Sequence, residues 1–452
     1  MTAVATADAQ RPSLRLPWSQ LAIISVYWFG MSAIWGGYEQ FGQKQVELIV
    51  GADRVGISLG LLELMGALIA IAVQPTVGTI SDYTVSRWGR RKGYILAGSA
   101  FDLLFLAGLA VISIPEPPPG AWDGEALGST QVLVLYVVFF LGLQFSSNFA
   151  QGPYQGYVPD LVPDPQVGVA SGAMGVMRIS GLLVGAMIMA FGAAQNLWGL
   201  AILSLGIIEL VLAIATFVFV REGAPPGLKG DRSWRAVALE AWGTDVLRER
   251  SFVFMSGVRL LFLMGTGIFI NVSLIYVERS LGVVDRDERS LWVTGALIVL
   301  LIGTVGATMP AAWISNRTGR KPIIWAATLI AAVGIAWIAL APDTAMSMVG
   351  ILLLGAGTGA YVSVDWALMT EVIPLASSGR YMGLANIATQ ISGPLGLVLG
   401  GLMIDAFRAI GEEPLGPRVG IALGIVALAG AAALLLGVHP QRGPGRDIEQ
   451  RV

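Results

Sequence analysis

Three carboxylates in or at the edge of long apolar runs could carry a proton: Asp365, Glu39 and Asp102. There is no cysteine, and the one histidine, His439, lies past the last apolar run. No imidazole can relay protons inside a membrane, so proton coupling must run through carboxylates. Asp365 shares a helix face with Tyr361 and Thr358, since the three stand at i, i+3 and i+7 counted from Thr358. A charge at mid-membrane costs roughly 2.5–3.5 kcal/mol on insertion scales. Glu63, Asp102, Arg178, Glu209, Arg259 and Asp365 would together cost on the order of 15 kcal/mol if charged and unpaired. They must be paired, neutralised or wet.

Polar side chains also recur at helical spacing. Trp28, Ser32, Trp35 and Glu39 fall at i, i+4, i+7 and i+11, which is one helix face, and Gln144, Asn148, Gln151 and Gln155 repeat that spacing. Arg259 and Thr266 form a shorter stripe. Amides offer paired donors and acceptors to hydroxyl groups, and tryptophan and tyrosine offer flat apolar faces. The set suits a sugar or another polyhydroxylated or amphipathic solute. The substrate-binding candidates are therefore Trp28, Ser32, Trp35, Gln144, Asn148, Gln151, Gln155, Arg259 and Tyr361. No catalytic residue is expected: a Ser-His-Asp triad needs an intramembrane histidine, and the sequence has no phosphate loop and no metal cluster. No enzyme activity, metal or cofactor is implied.

The elements that position these groups follow from composition. Of 452 residues, 55% are hydrophobic and 13% charged, the latter about half the globular norm of roughly 25%. Apolar runs long enough for a hydrocarbon core about 30 Å thick recur along the whole chain. This excludes a soluble enzyme, a disulfide scaffold and a disordered chain; a net charge of -2 and the lack of a basic domain argue against nucleic acid binding. The pattern predicts an all-α membrane protein with twelve spans at 19–41, 55–80, 93–114, 131–157, 168–193, 197–220, 252–277, 290–314, 322–341, 346–370, 379–404 and 418–438. The proline run 115–119 breaks one connection. Asp164-Pro165 reads as a helix start, and Ser377-Ser378 as another. The domains predicted are a cytoplasmic tail 1–18, a six-helix bundle 19–220, a cytoplasmic linker 221–251 with a surface helix around Trp234–Trp242, a second bundle 252–438 and a tail 439–452. With both ends inside, and with Arg380 and Arg418 counted with the loops they adjoin, inner segments carry 19 Lys/Arg and outer segments 7, which places both termini in the cytoplasm.

An internal repeat supports the division. Ser81-Asp82 and Arg87-Trp88-Gly89-Arg90-Arg91-Lys92 follow the second span; Ser315-Asn316-Arg317-Thr318-Gly319-Arg320-Lys321 follow the eighth. Asp160 follows the fourth span and Glu371 ends the tenth. The fifth carries Gly168-x3-Gly172 and Gly181-x3-Gly185; the eleventh, Gly379-x3-Gly383 and Gly396-x3-Gly400. Two parallel six-helix repeats are one plan for a secondary transporter. The two Gly-Arg-Arg/Lys loops resemble the signature loops of the major facilitator superfamily over essentially the whole chain. Within it, Gln74-Pro75-Thr76-Val77-Gly78, the long step from Asp82 to Arg87, and Gln151-Gly152-Pro153 with Asp160-Leu161 are similar to the sucrose and disaccharide proton symporters and the related glycoside–cation symporters.

That resemblance implies two bundles related by a pseudo-two-fold, with spans 1, 4, 7 and 10 lining a central cavity. It implies a cytoplasmic gate of Asp82, Arg87, Arg90, Arg91, Asp160, Glu371, Arg317 and Arg320, with Asp82 facing the start of the eleventh span near Ser378–Arg380. Gln155 stands where sucrose symporters carry an essential arginine, so Arg259 is expected to supply the cation. The function expected is alternating-access symport of a saccharide or similar small polar solute with a proton or other cation, by a monomer in the cell (inner) membrane. Two other readings fit the same residues: an exporter or carrier of another amphipathic solute such as a pigment precursor, and a non-transporting membrane assembly factor on the same fold.

Overall fold

The computed structural model describes residues 15–51, 55–114, 130–222, 231–374 and 377–439. The proline run, residues 223–230 of the linker and most of both tails lie outside these limits. Among the described residues every regular element is helical. Twelve helices are long and apolar enough to cross a membrane: span 1 (Trp18–Val50), span 2 (Ser58–Asp82), span 3 (Lys92–Val111), span 4 (Thr130–Leu161), span 5 (Asp164–Ala194), span 6 (Trp198–Phe219), span 7 (Arg250–Ser280), span 8 (Leu291–Thr318), span 9 (Arg320–Leu340), span 10 (Thr344–Val372), span 11 (Ser378–Ala409) and span 12 (Leu415–Leu436). The linker holds a short helix, Trp234–Glu240, whose first turn is capped by Ser233 accepting from Ala236 N.

Span 1 departs furthest from the pattern: it continues nine residues past Phe41 to Val50. The polar residues that suggested an end are accommodated within the helix. Buried Gln45 makes two bonds to Ile114 backbone, donating to its carbonyl at 2.9 Å and accepting from its N–H at 2.6 Å. Lys44 and Glu47 pair at i, i+3. Span 5 opens with a 3-10 turn, Asp164–Gln166, before its α-helical part.

The chain divides into two compact units. Unit 1 comprises residues 1–163, 176–243 and 374–384; unit 2 comprises 164–175, 244–373 and 385–452. The first turns of spans 5 and 11 thus belong to the opposite unit from the rest of their helices. Glycines make this possible. In unit 1, a Cβ on Gly78 would stand 2.5 Å from Gly379 O, and one on Gly379 would stand 2.5 Å from Gly78 O. A Cβ on Gly383 would meet Pro75 Cα at 2.6 Å. Spans 1 and 5 meet backbone to backbone, since Cβ atoms on Gly181 and Gly185 would fall 2.2 and 2.0 Å from Phe29 O and Ala33 O. Small residues let membrane helices approach this closely.

Candidate functional site

In unit 1, span 2 ends in Ser81 and Asp82 and a short loop returns to span 3. Gly89 turns that loop at φ +111, in the region that favours glycine. The turn carries Arg90 and Arg91 back over the helix ends. Arg91 is fully buried and uses its whole fork: Nη2 donates to Asp82 Oδ1 (2.7 Å) and Ser378 Oγ (2.9 Å), Nη1 to Ser81 Oγ (2.9 Å), and Nε to Asp160 Oδ2 (2.6 Å). Arg90 also pairs with Asp160. Burial alone pushes the Arg91 guanidinium down, but Asp160 and Asp82 outweigh it and hold it above its usual value.

Asp82 opposes its own helix dipole and is compensated at the start of span 11. Gly379 N and Arg380 N each donate to it at 3.1 Å. Asp82 therefore caps span 11, and Ser378 takes another role: it accepts from Arg91 and donates to Asp160 Oδ1 at 2.7 Å. Arg380 reaches the linker, donating to Ala241 O and Gly243 O at 3.4 and 3.0 Å. Arg87 lies apart from Asp160, exposed over the Trp88 ring at 4.8 Å.

Unit 2 repeats the arrangement. Gly319 turns the loop at φ +89. Arg320 donates to Glu371 Oε1 (3.0 Å), Ser315 Oγ (2.9 Å) and Asn316 Oδ1 (2.6 Å). The start of span 5 lies against this group, since a Cβ on Gly168 would stand 2.5 Å from Asn316 Oδ1. Arg317, like Arg87, stacks on a tryptophan, with Trp313 4.0 Å away. The units differ in two charges: Asn316 stands for Asp82, and the pairing of Arg90 with Asp160 has no counterpart among the unit 2 contacts described.

The amide stripe of span 4 meets a side chain the spacing argument had not assigned. Gln74, on span 2 just before Pro75, donates to Asn148 and to Gln151 Oε1 (3.1 Å) and accepts from Gln155 Nε2 (3.2 Å). Asn148 also donates to Gln144 O at 2.6 Å. Gln144 packs on Gly66, where a Cβ would stand 2.4 Å from its Nε2. The amides thus join spans 2 and 4, and Gln155 Oε1 remains buried without a donor. Beside them Trp28 meets Tyr154 edge to face at 5.8 Å and Arg178 at 5.6 Å. Ser32 is buried on the same face. Trp35 packs on Tyr38 at 5.8 Å, and Glu39 is exposed.

In unit 2, Arg259 of span 7 and Asp365 of span 10 form a buried pair. Arg259 Nε donates to Asp365 Oδ2 at 2.9 Å and Nη2 to the same oxygen at 2.5 Å. Tyr361 OH donates to Asp365 Oδ1 at 2.9 Å, and its ring stacks on Phe262 at 3.7 Å. Of the three states the sequence left open for Asp365, paired, neutralised or wet, the structure shows it paired. Thr266 and Thr358 donate to carbonyls of their own helices.

Asp102 and Glu209 are both completely buried. Ser146 donates to Asp102; Tyr27 OH (2.8 Å) and Ser99 Oγ (3.2 Å) both donate to Glu209 Oε1. Glu222, just past span 6, was also missed as a loop acid. It accepts from Arg91 N (2.9 Å), Lys92 N (3.0 Å) and Tyr157 OH (2.7 Å), capping span 3.

The Major Facilitator Superfamily model matches residues 21–397 and, in an overlapping match, 255–451. Sucrose transport protein SUT1 of Oryza sativa subsp. japonica is 33% identical over 142 residues, 28% of this chain and 25% of the rice protein. The minor myo-inositol transporter IolF of Bacillus subtilis (strain 168) is 23% identical over 142 residues, 29% of this chain and 32% of that protein. The chain thus matches about a third or less of these relatives' lengths. In structure it is similar to the E. coli fucose:proton symporter FucP, with TM-score 0.68, 11% identity and 93% of this chain and 99% of that one covered. The proton:xylose symporter XylE gives TM-score 0.65 at 16% identity, covering 93% and 95%. At such identities the likeness shows the fold.

Proposed function

This chain belongs to the Major Facilitator Superfamily, a family of membrane transporters, and on that premise we propose that it is a proton-coupled symporter of a saccharide or similar small polar solute, working by alternating access. It acts as a monomer in the cell (inner) membrane, with both termini in the cytoplasm. The observation that carries the reading is the buried Arg259–Asp365 pair with Tyr361 on the carboxylate. A proton arriving on Asp365 competes with Arg259 for its oxygens. The released guanidinium, a rigid fork of donors, is then free to bind a solute hydroxyl. Proton and solute therefore favour the same state, which links them thermodynamically. In unit 1, Trp28, Trp35 and the Gln144–Gln155 amides offer apolar faces and hydrogen bonds of the kind a saccharide uses, and Gln155 Oε1 is an acceptor ready for a hydroxyl. Relatives and structural neighbours named for sucrose, myo-inositol, fucose and xylose support a saccharide.

The test uses purified protein in vesicles and labelled sucrose, myo-inositol, fucose and xylose. A pH gradient should drive uphill accumulation of at least one of them. Asp365→Asn should abolish that accumulation while exchange at equal concentrations persists. Accumulation at the parent level by both Asp365→Asn and Glu39→Gln would show that neither carboxylate couples, and the reading would fall.

A further inference from the structure

Spans 3 and 6 hold two carboxyl groups that this coupling scheme leaves unused. Asp102 and Glu209 are each 0% exposed and stand within hydrogen-bonding reach of one another. Each has one oxygen served by hydroxyls: Ser146 of span 4 on Asp102 Oδ1, Tyr27 of span 1 and Ser99 of span 3 on Glu209 Oε1. The second oxygen of each, Asp102 Oδ2 and Glu209 Oε2, is buried and accepts from no donor. Among the described residues, the groups facing the pair from spans 1, 3 and 4 are therefore Tyr27, Ser99 and Ser146, and the one carboxyl partner of each acid is the other. Two carboxylates in contact, without water or a cation, repel strongly and lose their hydration. Two orphaned acceptors side by side also lack the hydrogen bonds that burial demands. One proton removes both penalties: it lowers the charge of the pair from two to one and lets one carboxyl donate to the other.

We propose that Asp102 and Glu209 form a proton-binding site in unit 1, sharing a single resident proton. Its ligand is H+ itself, bound as a carboxylic acid donating to a carboxylate. The site is tied to span 1 through Tyr27, whose hydroxyl also lies 2.8 Å from Ser99 Oγ and whose ring packs on Tyr154 at 4.8 Å. Trp28, the next residue, packs on the same Tyr154. Any shift of span 1 that moves this aromatic cluster alters the donors on Glu209 and so the hold on the proton. The site is independent of Asp365, so its test can fail while the solute-coupling reading stands, and the reverse.

Infrared spectroscopy of the purified protein at neutral pH reads the proton directly. The parent should show the carbonyl stretch of a protonated carboxylic acid, slow to exchange in heavy water. Asp102→Asn and Glu209→Gln should each remove that band, while Asp365→Asn keeps it. The amides can donate to the remaining carboxylate as the acid did, so both variants should insert and fold. Should either fail to fold, isotope labelling of the parent replaces it: carboxyl-13C aspartate or carboxyl-13C glutamate must shift the band. No such band in the parent, a band untouched by both substitutions, or one insensitive to both labels would overturn the proposal.

Discussion

Arg91 can be buried because every nitrogen of its fork has an oxygen to meet. Removing one partner of a buried pair typically costs about 3–5 kcal/mol, largely because the survivor stays charged and buried. Asp82→Asn keeps one acceptor for Gly379 N or Arg380 N and removes the charge that answers Arg91. We expect this variant to insert normally and to loosen the end of unit 1 that holds the cluster. A cysteine at Val158, which is buried beside this cluster, should then react faster with a membrane-impermeant thiol reagent than it does in the parent. Equal rates would leave Asp82 as a residue that fixes topology only. Arg91→Gln should have the larger effect, since it strands Asp82 and Asp160 together. Much of this cluster was legible in the sequence, because charges at the ends of apolar runs mark loops and helix termini. The choice among Arg87, Arg90 and Arg91 was not: it depends on where the Gly89 turn points each one, which spacing along a loop does not encode. The partnership of Asp102 with Glu209 was hidden for a related reason. Periodicity reports faces of one helix, and these two acids meet from spans far apart in the chain.

At the scale of elements, the twelve helices follow from hydropathy alone, and the glycine spacings pointed to close packing without naming the contacts. The structure assigns them: span 5 meets span 1 through Gly181 and Gly185, and span 10 meets span 8 where a Cβ on Gly359 would stand 2.0 Å from Thr304 O. The neighbour in each case is backbone, which cannot swing aside as a side chain can. Gly185→Leu should therefore lower thermal stability in detergent, by about 1–3 kcal/mol or more for an overpacked site. Gly267→Ala on span 7, where an added Cβ meets nothing within 4 Å, should leave the unfolding temperature unchanged or slightly raised. Equal losses in the two variants would mean that close approach of spans 1 and 5 does not limit stability. Span 1 shows where hydropathy misleads. Gln43, Lys44, Gln45 and Glu47 look like a loop, yet Gln45 bonds both backbone groups of Ile114, and a hydrogen-bonded amide can be buried. Gln74 is a similar case: it belonged to a sequence motif but to no periodic polar stripe, and only the packing of span 2 on span 4 reveals it as the hub of the amide stripe.

The whole molecule shows the same construction in both units. Each joins the end of one span, a left-handed glycine turn, an arginine, an acid at the end of another span, and the first turn of a helix whose remainder belongs to the other unit. The loops that carry these clusters follow spans 2 and 8 and so lie on one side of the membrane if the spans alternate. We propose from the charge bias that this side is the cytoplasmic one. With both termini inside, inner segments hold 19 Lys/Arg against 7 outside, and basic loops are retained in the cytoplasm. The arginines counted include Arg90, Arg91 and Arg320, so the residues that build the clusters also orient the chain. Reporter domains fused after Arg250, at the start of span 7, and at the C-terminus should both read as cytoplasmic, while one inserted at Thr130, before span 4, should read as external. A cytoplasmic reading at Thr130, or an external one at either of the others, would place the arginine clusters on the opposite face. The proton gradient would then have to drive solute through the reverse order of opening and closing.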